Sequence, residues 1–208
     1  MQKSLFTVCA ILVLSVLTFS GVIAWPTDPN EVGLYMTEDG TGETGTFEIG
    51  FPGVFVHLVL TRPTDTATGT PFDTIIAFEC QLNFNPVGNL FKLEDIYPTN
   101  AINVGENHLG LGYLEYIVVF GNDFPVTDES VVLVTIHFVH SIPGVIEVTL
   151  GPTNAPNIPG QMAFSSVWGD LRVMHPISGS HDAPVFLFDG EAVAVETESF
   201  GSVKALYR

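Results

Sequence analysis

Ile76-Ala77-Phe78-Glu79-Cys80-Gln81-Leu82-Asn83-Phe84 alternates apolar and polar side chains more regularly than any other stretch of this 208-residue chain. Successive side chains of a strand point to opposite faces. Ile76, Phe78, Cys80, Leu82 and Phe84 therefore share one face, and Glu79, Gln81 and Asn83 the other. The pattern predicts a half-buried strand with Phe78, Cys80 and Leu82 inside and Glu79 and Gln81 outside. Asn85-Pro86-Val87-Gly88-Asn89 ends it in turn-forming residues.

The same period recurs on both sides of it. Val54, Val56, Leu58 and Leu60 share a face within Gly53 to Leu60, as do Leu114, Tyr116, Val118 and Phe120 within Tyr113 to Phe120. Val132, Val134, Ile136 and Phe138 mark a strand from Val131 to His140, and Ile146, Val148 and Leu150 another from Val145 to Leu150. Leu90 to Tyr97 reads as a short strand or bend, and Gly33 to Met36 as an edge strand. Thr61 to Phe72, Gly121 to Asp128 and the Pro/Asn-rich Gly151 to Gly160 read as loops. Further strands are expected near Met162 to Val167, Asp170 to Met174, Val185 to Phe188 and Ala192 to Val195. With 20 Gly and 14 Pro as punctuation and no convincing ten-residue amphipathic helix, about nine strands predict an all-β fold, an antiparallel β-sandwich.

Residues 1–24 carry Lys3, an uncharged apolar run from Leu5 to Phe19 and a small residue at Ala24. That is the layout of a secretory signal peptide cut before Trp25. An uncleaved anchor is the competing reading, weakened by Thr7, Ser15, Thr18 and Ser20. Residues 25–46 form an acidic Gly/Thr-rich segment, 47–196 the sandwich domain and 197–208 a C-terminal tail. Only Cys80 remains after cleavage, so no intramolecular disulfide can form, and its strand position marks it as a small core hydrophobe.

From Gly53 to about Leu150 the chain resembles a cohesin-type domain, a jelly-roll-like sandwich of the carbohydrate-binding-module superfamily. The resemblance rests on Gly53-Val54-Phe55-Val56-His57-Leu58-Val59-Leu60, on Ile76 to Pro86, and on Val132-Leu133-Val134-Thr135-Ile136-His137-Phe138-Val139. Asn85 stands where the family often has Asp. The resemblance implies a non-catalytic binding module of the cell exterior. It carries over no dockerin partner.

Composition and motifs narrow the function. Six Lys+Arg against 23 Asp+Glu, a formal charge of −17, excludes a phosphate-backbone binder, so no nucleic acid is expected. At 46% hydrophobic and 14% charged residues, the chain is not intrinsically disordered. No nucleophile elbow, zincin pair or phosphate loop is present, which argues against an enzyme. His137 and His140 at i, i+3 face opposite sides of a strand. His175, His181 and Asp182 flank one loop and read as solvated polar residues.

Two acidic loops offer oxygen ligands for a structural calcium: Glu38, Asp39 and Glu43 in one, and Asp123 and Asp128, with Asn122 and Glu129 beside them, in the other. Tyr97, Tyr113 and Trp168 are the candidate sugar-stacking rings. In the tail, Phe200, Val203, Leu206 and Tyr207 fall at helical spacing beside Lys204 and Arg208, the pattern of a sorting or attachment tag.

Together these features predict an exported, non-enzymatic module acting in adhesion, scaffolding or assembly through a protein partner, secreted or at the cell surface. A carbohydrate-binding module recognising a polysaccharide is the alternative. Deleting Phe200 to Arg208 is expected to change localisation or association and to leave the melting temperature within a few degrees. Fractionation of cells making each form, with a melt of each protein, checks this. A truncated form that melts far lower yet localises normally would make the tail part of the domain.

Overall fold

Residues 29–40, 53–88, 90–127, 129–140, 144–167 and 170–188 are described by the computed structural model. Within them the strands, in chain order, begin with β1 (Glu31–Tyr35), β2 (Val54–Thr61), β3 (Thr64–Asp65), β4 (Thr70–Pro71) and β5 (Thr74–Asn85). Then come β6 (Leu90–Ile96), β7 (Ala101–Asn103), β8 (Asn107–His108), β9 (Tyr113–Pro125) and β10 (Ser130–His140). The last four are β11 (Ile146–Gly151), β12 (Met162–Ser165), β13 (Leu171–Pro176) and β14 (Phe186–Phe188). A single 3-10 turn, Leu109–Leu111, precedes β9. The protein is nearly all-β, and no helix among the described residues is long and apolar enough to cross a membrane.

The strand that carries the clearest alternation is the hub. Along one flank β5 pairs with β9, from Thr74 opposite Pro125 to Asn83 opposite Tyr113. Along the other it pairs with β12 at Ala77–Glu79 and with β11 at Gln81–Asn85. β14 lies beyond β11, and β7 and β8 lie beyond β9. The remaining strands run in the order β1-β2-β10-β6. β13 links the two groups: it pairs antiparallel with β12 and, through His175 and Pro176, parallel with β1.

The sheet is therefore mixed and curls back over itself. Phe84 of β5 meets Phe138 of β10 at 5.9 Å between ring centroids, and Phe138 meets Phe188 of β14 at 5.2 Å. These contacts bring the two groups around one shared core, in which Val56, Leu58, Leu60, Leu82, Leu133, Ile136 and Phe138 are fully buried. β3 and β4 form a separate small hairpin.

Several expectations are corrected. A purely antiparallel sheet gives way to a mixed one through the β1–β13 pair. Fourteen strands among the described residues replace about nine, because the hairpin β3–β4 and the short strands β7 and β8 lie in stretches too brief to show a period. Residues 121–125 extend β9 rather than opening a loop. β1 is buried along its whole length between β2 and β13, so the segment before residue 47 contributes an interior strand. Gly33 permits this, since the Tyr35 ring lies over it at a distance where a Cβ would collide.

Phe78, Cys80 and Leu82 are buried as their alternation predicts, and Gln81 is half-buried. Glu79, predicted outside, is 3% exposed. The register is right, yet the outer face at Glu79 is covered. The loop after β11 crosses it, and Asn157 donates to Glu79 Oε1 through its N–H (2.8 Å) and to Oε2 through Nδ2 (2.6 Å).

Phe138 is the aromatic that joins β10 to β5 and β14. Truncation to alanine removes its transfer free energy and leaves a cavity where three rings meet, so Phe138→Ala is expected to cost about 3–5 kcal/mol. Urea denaturation of the two proteins measures it; a loss under about 1 kcal/mol would mean that the two groups of strands do not depend on this contact.

Candidate functional site

β6, Leu-Phe-Lys-Leu-Glu-Asp-Ile, reverses the usual strand economy. Two of its three charges turn inward, while Glu94 stays exposed: Lys92 Nζ lies 2.5 Å from Asp95 Oδ2, each side chain 13% exposed. Tyr116 of β9 donates its hydroxyl to Asp95 Oδ1 at 2.9 Å, and Lys92 Nζ stands 5.6 Å from the Tyr116 ring centroid. Burial, with the Asp95 charge beside it, pushes the Tyr116 phenol well above its ordinary value. The apolar side chains turn outward: Phe91, Leu93 and Ile96 are 56%, 47% and 46% exposed.

β6 pairs with β10 alone among the described strands, which makes it an edge. Because Asp95 reaches Tyr116, β6 faces β9, and β7 and β8 flank β9 on the same side of the molecule. That second edge is also apolar. Ile102, Val104 and Leu111 are all about 70% exposed. A cavity of about 300 Å³ lies between the two edges, lined by Phe91 and Lys92 on one side and Asn107 and Leu109 on the other. Six large apolar side chains and two strand edges thus share the open side of the curled sheet. Such a surface is suited to pairing with, or covering by, another chain.

Gly105 sets the path of the second edge. Its Cα approaches the Glu115 carbonyl so closely that a Cβ would overlap it. The close approach lets Val104 N–H donate to Ile117 O at 3.0 Å and Glu115 N–H to Glu106 O at 2.8 Å.

A second feature unites the two acidic loops. A cleft of about 620 Å³ is lined by Glu38 and Asp39 from one and by Thr127, Glu129 and Ser130 from the other, with Phe124 as its aromatic wall. Ser130 Oγ donates to the Asp39 carbonyl at 3.0 Å, and Thr37 Oγ1 to Asp39 Oδ1 at 2.7 Å. Of the residues proposed for calcium, Glu38 and Asp39 line this cleft and Asp123 does not; Glu43 and Asp128 lie outside the described residues. Among the described residues no three Asp, Glu, His or Cys groups converge as a metal cage.

The proposed sugar platform is not assembled by the residues described. Tyr97 packs against the core, and burial together with Asp95 pushes its phenol above the ordinary value. Tyr113 is half-buried with its ring 5.2 Å from His108. Trp168 and the tail residues Phe200, Val203, Lys204, Leu206, Tyr207 and Arg208 lie outside the described residues. His137 stacks on Phe55 at 4.2 Å, and His181 Nδ1 lies 2.9 Å from the Leu150 carbonyl. Cys80 is fully buried, its thiol pushed far up by burial and by the Glu79 charge, which leaves it unreactive.

Sequence reasoning missed the edge because exposure of Phe91, Leu93 and Ile96 contradicts their hydropathy. A signal was present: Lys92 and Asp95, three apart, flank Leu93 in a strand that alternates poorly. No protein-family model matches the chain, and no curated protein matches it either.

On the outer face of β2, His57 is 8% exposed with Nδ1 2.8 Å from Thr135 Oγ1 and Tyr35 as its cross-strand neighbour. Burial holds its pKa below the ordinary value of about 6.5, partly opposed by Glu38. The folded state then binds this proton less readily than the unfolded chain does. Its contribution to stability is intact above the ordinary value and is lost as pH falls toward the folded one. The urea midpoint is expected to drop between about pH 7.5 and 5.5, and to drop less in His57→Gln. Equal slopes would remove His57 as the source.

Proposed function

We propose that this protein is an exported, non-enzymatic β-sandwich of cohesin-like type that works outside the cytoplasm in adhesion, scaffolding or assembly. In this reading residues 1–24 direct export, the sandwich is the binding module and residues 197–208 are a sorting or attachment tag. The partner is a protein, met at the open side of the curl. One observation carries the reading: the edge strand β6 keeps Lys92 and Asp95 inside and leaves Phe91, Leu93 and Ile96 to solvent, beside Ile102 and Val104.

Large apolar side chains left exposed along an edge mark a surface suited to burial against another chain. Inward charge stiffens the strand through Tyr116 while its outer side chains stay available for burial against a partner. An apolar contact of this kind gains roughly 25 cal/mol per Å² removed from water. A polysaccharide ligand is favoured less, because the tyrosines available for stacking have their rings packed at Tyr97 and paired with His108 at Tyr113.

The test presents the mature wild-type protein, Leu93→Glu and Ile102→Lys to extracellular proteins and, in parallel, to polysaccharides. Both substitutions sit at exposed positions, so melting temperatures are expected to stay within about 3 °C of wild type. A protein retained by the wild type and lost from both variants supports the reading. Retention of a polysaccharide by all three proteins, with no protein partner lost from the variants, would replace it with the carbohydrate-binding one.

A further inference from the structure

β11 ends at Gly151, which stands opposite Gln81 of β5. Three residues later the N–H of Asn154 donates to Glu115 Oε1 at 2.7 Å, and Glu115 stands opposite Gln81 on the other flank of β5. Pro152 and Thr153 must therefore pass over Gln81. The loop next reaches Asn157, which holds both oxygens of Glu79, one alternation along the same face of β5. A single crossing loop thus covers Glu79, Gln81 and Glu115.

What it covers is poorly matched by the protein alone. Glu79 and Glu115 are 3% and 7% exposed. They occupy diagonal positions of the β5–β9 pair, about 7–8 Å apart at Cα. Among the described residues neither carboxylate has a cationic partner. Each accepts two hydrogen bonds and retains lone pairs; for Glu115 the second comes from Glu106 N–H at 3.4 Å. Among the described residues two further oxygens of the same strip have no hydrogen-bond partner: Gln81 Oε1 and Thr153 Oγ1, with Thr153 only 4% exposed. The Gln81 amide nitrogen is already committed to Asn83 Oδ1 at 2.7 Å, which leaves its oxygen as the free end. Buried acceptors without donors, beside buried negative charge without positive charge, are destabilising on every count.

One occupant resolves all of them. We propose that Glu79, Gln81, Glu115 and Thr153 hold a calcium ion beneath the loop of residues 151–157. The donor set is entirely oxygen: two carboxylates, an amide carbonyl and a hydroxyl. Zinc and copper favour nitrogen and sulfur, and none is offered. Magnesium holds its waters in a strict octahedron, which a site closed under a loop accommodates badly. Calcium takes six to eight oxygens at 2.3–2.6 Å in flexible geometry, and loop carbonyls can complete such a shell. Two carboxylates balance its charge. The ion would fasten the loop over the outer face of the hub strand. It is separate from the Glu38–Asp39 cleft and does not depend on the partner surface.

The full chain, stripped with chelator, is to be dialysed against radioactive calcium and melted with and without millimolar calcium or magnesium. Binding of about one tight calcium is expected, with a melting temperature raised by about 5 °C or more and a much smaller response to magnesium. Glu115→Gln is expected to abolish the response. Because that change could also unseat the loop, Thr153→Val carries the decision. In chelator it should melt at or above wild type, since an unpartnered hydroxyl is gone, while its calcium affinity falls at least tenfold. Absence of calcium binding overturns the proposal. So does binding that both variants retain, which would place the ion elsewhere on the acidic surface. A Thr153→Val protein that melts far lower in chelator overturns it too, because the hydroxyl would then serve the fold directly.

Discussion

The twelve-residue strand β5 is paired on both flanks, with β9 on one side and with β11 and β12 on the other, so it has two faces to cover and no edge of its own. Its inner face is easily satisfied. Phe78, Leu82 and Phe84 meet Tyr116, Phe120 and Phe138 across or beside the strand, within one continuous core. The outer face carries Glu79, Gln81 and Asn83, and an interior strand cannot leave those positions fully to water once a neighbouring loop crosses them. Glu79 and Glu115 answer that constraint by accepting from loop amides, which fixes the loop with the polar groups it would otherwise leave unpaired.

The flanks of the curl solve the opposite problem, that of ending a sheet. On one side β13 serves both groups of strands, antiparallel to β12 and parallel to β1, so no edge is left there. Arg172 anchors this closure: its guanidinium lies 2.7 Å from Asp170 and 3.5 Å from Asp65 of the small hairpin, and 5.7 Å from the Phe72 ring centroid. On the other side β6 and β7 do not pair with each other. The Lys92–Asp95–Tyr116 cluster ties β6 to β9 through polar contacts. Function in this reading follows from the side of the sheet that the core does not seal.

Legibility in the sequence followed the physics of each element. β2, β5, β9, β10 and β11 are long enough for their period of two to show, and each lies within two residues of its expected start. β7, β8 and the β3–β4 hairpin span two or three residues, too few for any periodic signal. β1 reads as an edge strand in the sequence, whereas it lies between β2 and β13, with Gly33 the gap into which Tyr35 folds. The acidic loops were recognisable, and Glu38, Asp39 and Glu129 do line one cleft. Glu79 and Glu115 were not, because alternation reports the face of a side chain and not what lies over that face. The cover came from residues 151–157, more than sixty positions from Glu79 in the chain, and no local pattern encodes so long a reach.

Charge gives the last link between fold and surroundings. The chain has six Lys+Arg for 23 Asp+Glu, and two of those cations, Lys92 and Arg172, are engaged in ion pairs with Asp95, Asp65 and Asp170. Cations used to position strands cannot also neutralise the surface. The exterior is therefore strongly negative, and its field extends about 8–10 Å into a solution of physiological salt. An apolar edge set in such a field discriminates among partners. A chain with basic residues around an apolar patch is drawn in, whereas a second acidic copy is repelled before its apolar groups can meet. The same imbalance thus works against the self-association that two open strand edges would otherwise invite.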